Sequence, residues 1–143
     1  FYFETLNKLG KPMEPKEYIE HSIWYFKRKN TKNYLAQSYL MSGKIYIPAG
    51  EYNPKGVNDL LMGIEVCDKN DYNLLAELHF VLGTFSSYHR ETELSLKYYN
   101  DAVSYYKKAG NKINTCTTLY DAVGPTYLFL DDYEKATECF RGI

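Results

Sequence analysis

Residues 121–133 read DAVGPTYLFLDDY, with Gly124-Pro125 set in the middle of a stretch otherwise patterned for a helix. The segment is either a loop carrying chemistry or a helix carrying a defect, and the choice decides the fold. A proline inside a helix removes one backbone hydrogen bond and collides with the carbonyl four residues back, here that of Asp121, at a cost of roughly 3 kcal/mol. Repetition elsewhere in the chain decides the matter. Aligning SYLMSGKIYIPAGEYNPKGVNDLLMGI, ELHFVLGTFSSYHRETELSLKYYNDAV and TLYDAVGPTYLFLDDYEKATECFRGI places Gly43, Gly83 and Gly124 in one column, 40 and 41 residues apart. Each follows a small residue, Ala36, Ala76 or Thr117, by seven positions. Gly124 thus fills a repeated slot in which only a tiny residue lets a paired helix pass, which outweighs a catalytic or phosphate-binding loop.

Beyond each glycine a second pattern recurs: Gly56, Leu60 and Gly63; Ser95, Tyr99 and Ala102; Ala136, Phe140 and Ile143. Spacing of i, i+4, i+7 on both sides of a polar turn predicts two amphipathic helices per unit, packed antiparallel, with small residues at the closest approach. Turn signals fall at AGEYNP (49–54), YHRETE (88–93) and LDDY (130–133). An earlier half-unit is visible because SIWYFKRKNTK from Ser22 matches AVSYYKKAGNK from Ala102, with Pro15 at a first-turn position. The units run over about 1–31 (partial), 32–70, 71–111 and 112–143, and Phe1 to Gly10 are expected to be a preceding helix. Pro125 predicts a kink near Asp121 to Pro125. That kink is either simply tolerated, or it frees a carbonyl that joins the Asp121 carboxylate in a polar spot for a ligand.

The 143 residues suit one domain able to bury a core without staples. Seventeen basic and 18 acidic residues leave a net charge of −1, which offers no footprint for a nucleic-acid backbone or an anionic membrane. Cys67, Cys116 and Cys139 form no CxxC pair and are read as small apolar residues. No apolar run approaches the roughly 18 residues of a membrane span. A first residue that is not methionine and an end inside a predicted helix suggest a piece of a longer protein.

The order of small residue, GxxY, GEY or DDY, then small-x-x-x-aromatic-x-x-small resembles tetratricopeptide (TPR) repeats over about residues 14–143, best in GKIYIPAGEY and GPTYLFLDDYEKATECF. The second unit departs, with Ser86 in place of the tyrosine and His89-Arg90 in place of the turn glycine. The resemblance implies an all-α fold, a right-handed TPR-like superhelix of antiparallel helix pairs, acting as a non-catalytic protein- or peptide-interaction module. Units longer than the roughly 34 residues of the simplest repeat look similar to TPR sensor regions of Bacteroidetes-type regulators and to cytosolic peptide-responsive regulators. That implies the sensing part of a larger regulatory protein, in the bacterial cytoplasm or, for a membrane-anchored parent, outside it. A scaffold joining subunits of an assembly, without switching, is the alternative. Exposed repeat ends give such a module a route to dimers.

The resemblance also implies a concave groove lined by Gln37, Leu40, Lys44 and Ile47, by Glu77, Phe80, Thr84 and Tyr88, and by Thr118, Asp121, Pro125 and Leu128. The Lys and Asn clamp of TPR domains that grip acidic chaperone tails is missing from these slots, so an extended or helical peptide with apolar anchors fits better. Tyr98, Tyr99, Tyr105 and Tyr106 split by helical spacing, Tyr99 and Tyr106 toward the core and the others about 100° away, instead of forming a base-stacking platform. The KRKNTK run at 27–32 reads as a solvated helix end. DKNDYN at 68–73 has Asn73 where a calcium loop needs glycine, and reads as a turn capping the next helix. His21, His79 and His89 are scattered, with His79 a packing residue, and SSYHR (86–90) lies in a repeat turn. No catalytic residue, cofactor or metal site is expected.

Overall fold

A computed structural model describes residues 14–142, which are helical with no strand. Seven helices follow in order: α1 (Pro15–Lys29), α2 (Lys32–Lys44), α3 (Pro54–Val66), α4 (Tyr72–Tyr88), α5 (Thr92–Lys108), α6 (112–129) and α7 (Tyr133–Arg141). The helix expected within Phe1 to Gly10 lies outside the described residues.

Local chemistry sets the boundaries. Pro15 and Pro54 occupy the first turns of α1 and α3, where a missing N–H costs nothing. Asn53, Asp71, Asn111 and Asp132 cap α3, α4, α6 and α7, each side-chain oxygen accepting a backbone N–H of the first turn. DKNDYN is therefore a capping turn, as its sequence predicts. Lys27, Arg28 and Lys29 form the last turn of α1, against the negative end of its dipole. Pro48 sits in a short 3₁₀ turn, Ile47–Ala49, beyond the end of α2.

Each helix packs against its neighbour in sequence, and α2 also touches α4. The α2/α3 pair is antiparallel: Tyr46 lies over Gly56, Leu60 over Gly43, and Tyr39 over Gly63. The α4/α5 pair repeats this, with Tyr99 over Gly83 and Ala76 clustered with Ala102 and Tyr106. All three aligned glycines do the same work. A methyl group on Gly43, Gly83 or Gly124 would stand 2.6 Å from Leu60, 2.6 Å from Tyr99 and 2.5 Å from Phe140 respectively. Contacts that close do not occur between real side chains, so the 40- and 41-residue periods record one steric constraint met three times.

A second period escapes the sequence. The turn inside each pair contains one residue with positive φ: Gly50 (66°), Arg90 (61°) and Asp131 (58°), again 40 and 41 residues apart. Only the first is glycine, although the left-handed conformation costs an ordinary residue about 1 kcal/mol or more. Between pairs the same conformation recurs at Asn30 (54°) and Gly110 (69°), the positions that the α1/α5 alignment equates. Side-chain amides tie these junctions: Asn33 donates to Asp71 and accepts from the Asp68 N–H, while Asn111 donates to Asn73.

The core runs through the α2–α5 pairs, with Ala36, Leu60, Leu78, Leu82 and Phe85 essentially inaccessible. A second cluster of Tyr99, Val103, Ala122 and Val123 joins α5 to α6. Among the buried polar groups is one carboxylate, that of Asp59, which accepts from the Ser42 hydroxyl and pairs with Lys55 at 2.9 Å. Cys67 is buried, Cys116 and Cys139 half-buried, and all three are free thiols.

Helix α6 answers the question raised by Gly124-Pro125. It runs as an α-helix over Lys112–Thr118, widens into a π-helical turn over Leu119–Val123, and resumes over Gly124–Phe129. The Gly124 N–H bonds to the Leu119 carbonyl five residues back. The extra residue resets the hydrogen-bond register, and Pro125 falls at the second position of the resumed segment, directly after the widened turn. The expected disturbance is thus a widened turn.

Candidate functional site

Helices α2 and α4 and the end of α5 enclose a groove of about 700 Å³. Its floor is apolar, with Ile47, Phe80, Val81 and Tyr106, and Lys44, Glu77 and Thr84 stand along it. Five of the residues expected in a groove, Lys44, Ile47, Glu77, Phe80 and Thr84, are therefore brought together. Lys44 Nζ reaches Glu77 Oε2 at 2.7 Å across the helix pair, with both side chains substantially exposed. A pair so wet contributes about 0–1 kcal/mol, so it positions the two heads more than it stabilises the fold. The Thr84 hydroxyl donates to the Phe80 carbonyl and accepts from the Tyr99 hydroxyl, fixing the wall. Phe80 lies 5.4 Å from the Tyr99 ring, a tilted pair that holds the floor.

A second cavity of about 690 Å³ lies between the α4–α5 turn and the π-helical turn of α6. Asp121 and Pro125 line this one, with Arg90 and Tyr99 opposite. The residues expected to form one trough therefore fall in two recesses, joined through the Tyr99–Thr84 hydroxyl contact. Burial holds the Tyr99 phenol above its ordinary pKa, against the opposing hydrogen bonds with Thr84 and Ser95.

The remaining expected residues divide. Gln37 is exposed on α2, Leu128 is exposed on α6, and Tyr88 is half-buried with its hydroxyl 3.4 Å from the Ile47 carbonyl. Leu40 and Thr118 do not face a groove: both are buried, at 6% and 2% exposure. Leu40 joins the cluster of Leu74, Leu78 and Val81. Leu40 is buried, whereas Phe80, forty residues on, is partly exposed. Thr118 lies before the extra residue of the π turn, so counted from the caps Asp71 and Asn111 it is equivalent to buried Leu78, and the exposed Thr117 is equivalent to Glu77. A groove face counted back from Gly124 cannot capture that shift.

The aromatic residues follow the helical reading. Tyr99 and Tyr106 are buried, and Tyr98 and Tyr105 turn aside onto His79, with ring centroids 6.1 and 5.1 Å away. His79 is itself buried, with Nδ1 2.7 Å from the Leu75 carbonyl. Desolvation pushes the Tyr106 phenol up to about 12 and the Cys67 thiol up to about 11, which leaves the thiol protonated and unreactive near neutral pH. Among the described residues no three His, Cys, Asp or Glu side chains cluster as metal ligands, and no helix is long and apolar enough to cross a membrane. No protein-family model, curated protein or solved structure matches the chain.

The residues missed by sequence reasoning are Arg90 and Tyr106. Arg90 reads in sequence as a failed turn glycine; Tyr106 reads as core, yet one edge of it forms the groove floor.

Proposed function

We propose that the chain is a non-catalytic, TPR-like helical-repeat module that binds an extended or helical peptide in the α2/α4 groove, as the sensing or partner-binding part of a regulator. One observation carries this reading: an open apolar floor of Ile47, Phe80 and Tyr106 lies beside the paired heads of Lys44 and Glu77. An apolar floor supplies affinity by excluding water, and a cation and anion at the rim can each turn to a peptide carbonyl, amide or charged side chain, which supplies direction. The recurrence of the glycine slot and of the positive-φ turn supports a stack of like units, in which neighbouring first helices jointly build one surface.

The test is selection of random 12-residue peptides on the 143-residue chain, followed by fluorescence anisotropy of enriched peptides with the wild type, Phe80→Ala and Lys44→Gln. Loss of a central aromatic anchor should weaken binding about 30-fold, which is some 2 kcal/mol, and loss of the rim cation by less. Enriched peptides that bind Phe80→Ala as tightly as the wild type would place the site elsewhere, and failure to enrich any peptide would count against a peptide groove.

A scaffold role is the second reading. It is favoured by large apolar side chains left more than half exposed on the last two helices, Ile113 and Tyr120 on α6 and Tyr133 on α7. Concentration-dependent dimers in light scattering, lost in Ile113→Lys plus Tyr120→Lys, would support assembly through those helices.

A further inference from the structure

The cavity beside the π-helical turn carries a pair of charges that the fold does not use. Arg90 and Asp121 line the same recess from opposite elements, the α4–α5 turn and α6. Both side chains are exposed, and neither has a hydrogen bond, ion pair or ring contact among the described residues. Tyr99, Pro125 and Phe129 line the same recess, and Phe129 is 77% exposed although it is among the largest apolar side chains of the molecule.

Two local departures from regular structure place these groups. Arg90 holds a left-handed backbone at a turn position where the first unit uses glycine. The π-helical turn centres on Asp121 itself, and π turns interrupt helices frequently where a side chain has to be aimed at a ligand. Without the extra residue in that turn, Asp121 and Pro125 would stand in a different rotational register to α5.

We propose that this cavity binds a small zwitterion, a free α-amino acid with an apolar side chain. Its carboxylate is taken by the Arg90 guanidinium, a planar donor fork matched to a carboxylate. Its ammonium is taken by the Asp121 carboxylate, and its side chain lies on Tyr99, Pro125 and Phe129. A volume of about 690 Å³ lies in the range of small-molecule pockets and exceeds any single amino acid, leaving room for ordered water at the charged ends. The site is separate from the peptide groove and stands or falls independently of it. Because Tyr99 donates to Thr84 on the groove wall, an occupant here touches a residue that the groove also depends on.

The test uses L-phenylalanine, L-leucine and L-methionine as zwitterionic probes, with phenethylamine and 3-phenylpropionate as partners that each lack one charge. Isothermal titration calorimetry and thermal denaturation are run on the 143-residue chain and on Arg90→Gly, Arg90→Gln and Asp121→Asn. Arg90→Gly removes the guanidinium while easing the turn, so loss of binding there is not loss of fold. At least one zwitterion is expected to bind and raise Tm, both single-charge analogues to bind at least tenfold more weakly, and each variant to lose about tenfold or more. Three results overturn the proposal: no heat and no Tm shift with all three amino acids at 5 mM; equal binding of the single-charge analogues; or binding unchanged in Arg90→Gly and Asp121→Asn.

Discussion

Replacing Gly83 by alanine tests the steric reading of the repeat most directly. The new methyl would lie 2.6 Å from Tyr99 Cδ1 and 2.7 Å from Cε1, against an ordinary contact of 3.4 Å, so methyl and ring must separate by about 0.8 Å. The ring is poorly placed to yield: Tyr99 is buried among Val103, Ala122 and Val123, packs on Phe80 and bonds to Thr84 through its hydroxyl. Overpacking of that kind costs about 3 kcal/mol at the upper end. Alanine recovers about 1 kcal/mol of helix propensity. The net expectation is a loss of about 2 kcal/mol, or a fall in Tm of about 6–8 °C for a domain of this size.

The assay is thermal and urea denaturation followed by circular dichroism, on Gly83→Ala, Tyr99→Leu and the double variant. In the Tyr99→Leu background the alanine should cost much less or stabilise, giving a coupling energy of 1 kcal/mol or more. At Gly124→Ala the half-buried Phe140 ring can swing outward, but the methyl also meets the Leu119 carbonyl oxygen of the π turn at 3.1 Å, so a loss should remain even with Phe140→Ala. A Gly83→Ala variant as stable as the wild type, or one equally destabilised with and without the Tyr99 ring, would refute the claim that the 40-residue period marks close helix approach.

Three further outcomes follow from the same geometry. Arg90→Gly should raise stability by about 0.5–1 kcal/mol by removing left-handed strain, measured as a higher urea midpoint at unchanged slope; a lower midpoint would show that the arginine side chain supports the turn. Pro125→Ala should change stability by less than about 1 kcal/mol, because the π turn already accommodates the ring, whereas a gain near 3 kcal/mol would mean that the proline is strained. Alkaline stability has a defined window: burial raises Cys67 to about 11 and Tyr106 to about 12, so both favour the fold while protonated. Their contribution is complete below pH 9 and is lost as pH rises through 11 and 12, and Cys67→Ala should abolish the first part of that loss in a pH series of urea midpoints.

Most of the helix layout was legible because it rests on period and punctuation. Gly43, Gly83 and Gly124 announce the helix crossings, the AGEYNP, DKNDYN and LDDY turns the helix boundaries, and the Tyr98/Tyr99 and Tyr105/Tyr106 pairs the buried side of α5. The groove was legible only in part. Leu40 went astray because exposure at equivalent slots depends on what the neighbouring unit supplies, here Leu74 and Leu78, and Thr118 because the extra residue of the π turn shifts its register against Gly124. The π turn was hidden because proline signals a disturbance without saying which one, and kink, break and widened turn all satisfy the same missing N–H. Arg90 was hidden because a left-handed conformation is a property of φ, which an arginine code does not advertise.

The recurrence of one backbone conformation at Gly50, Arg90 and Asp131 has a practical reach beyond this chain. Points of equal conformation, one period apart, are interchangeable joints. Deleting residues 91–131 would join Arg90 to Asp132, remove α5 and α6, and set the α7 cap after a turn residue of the same conformation. Duplicating those residues would add a pair in the same way. For the stack of like units that we propose, the number of pairs then becomes a dial that recombination, natural or deliberate, can turn, and length a variable separable from the fold.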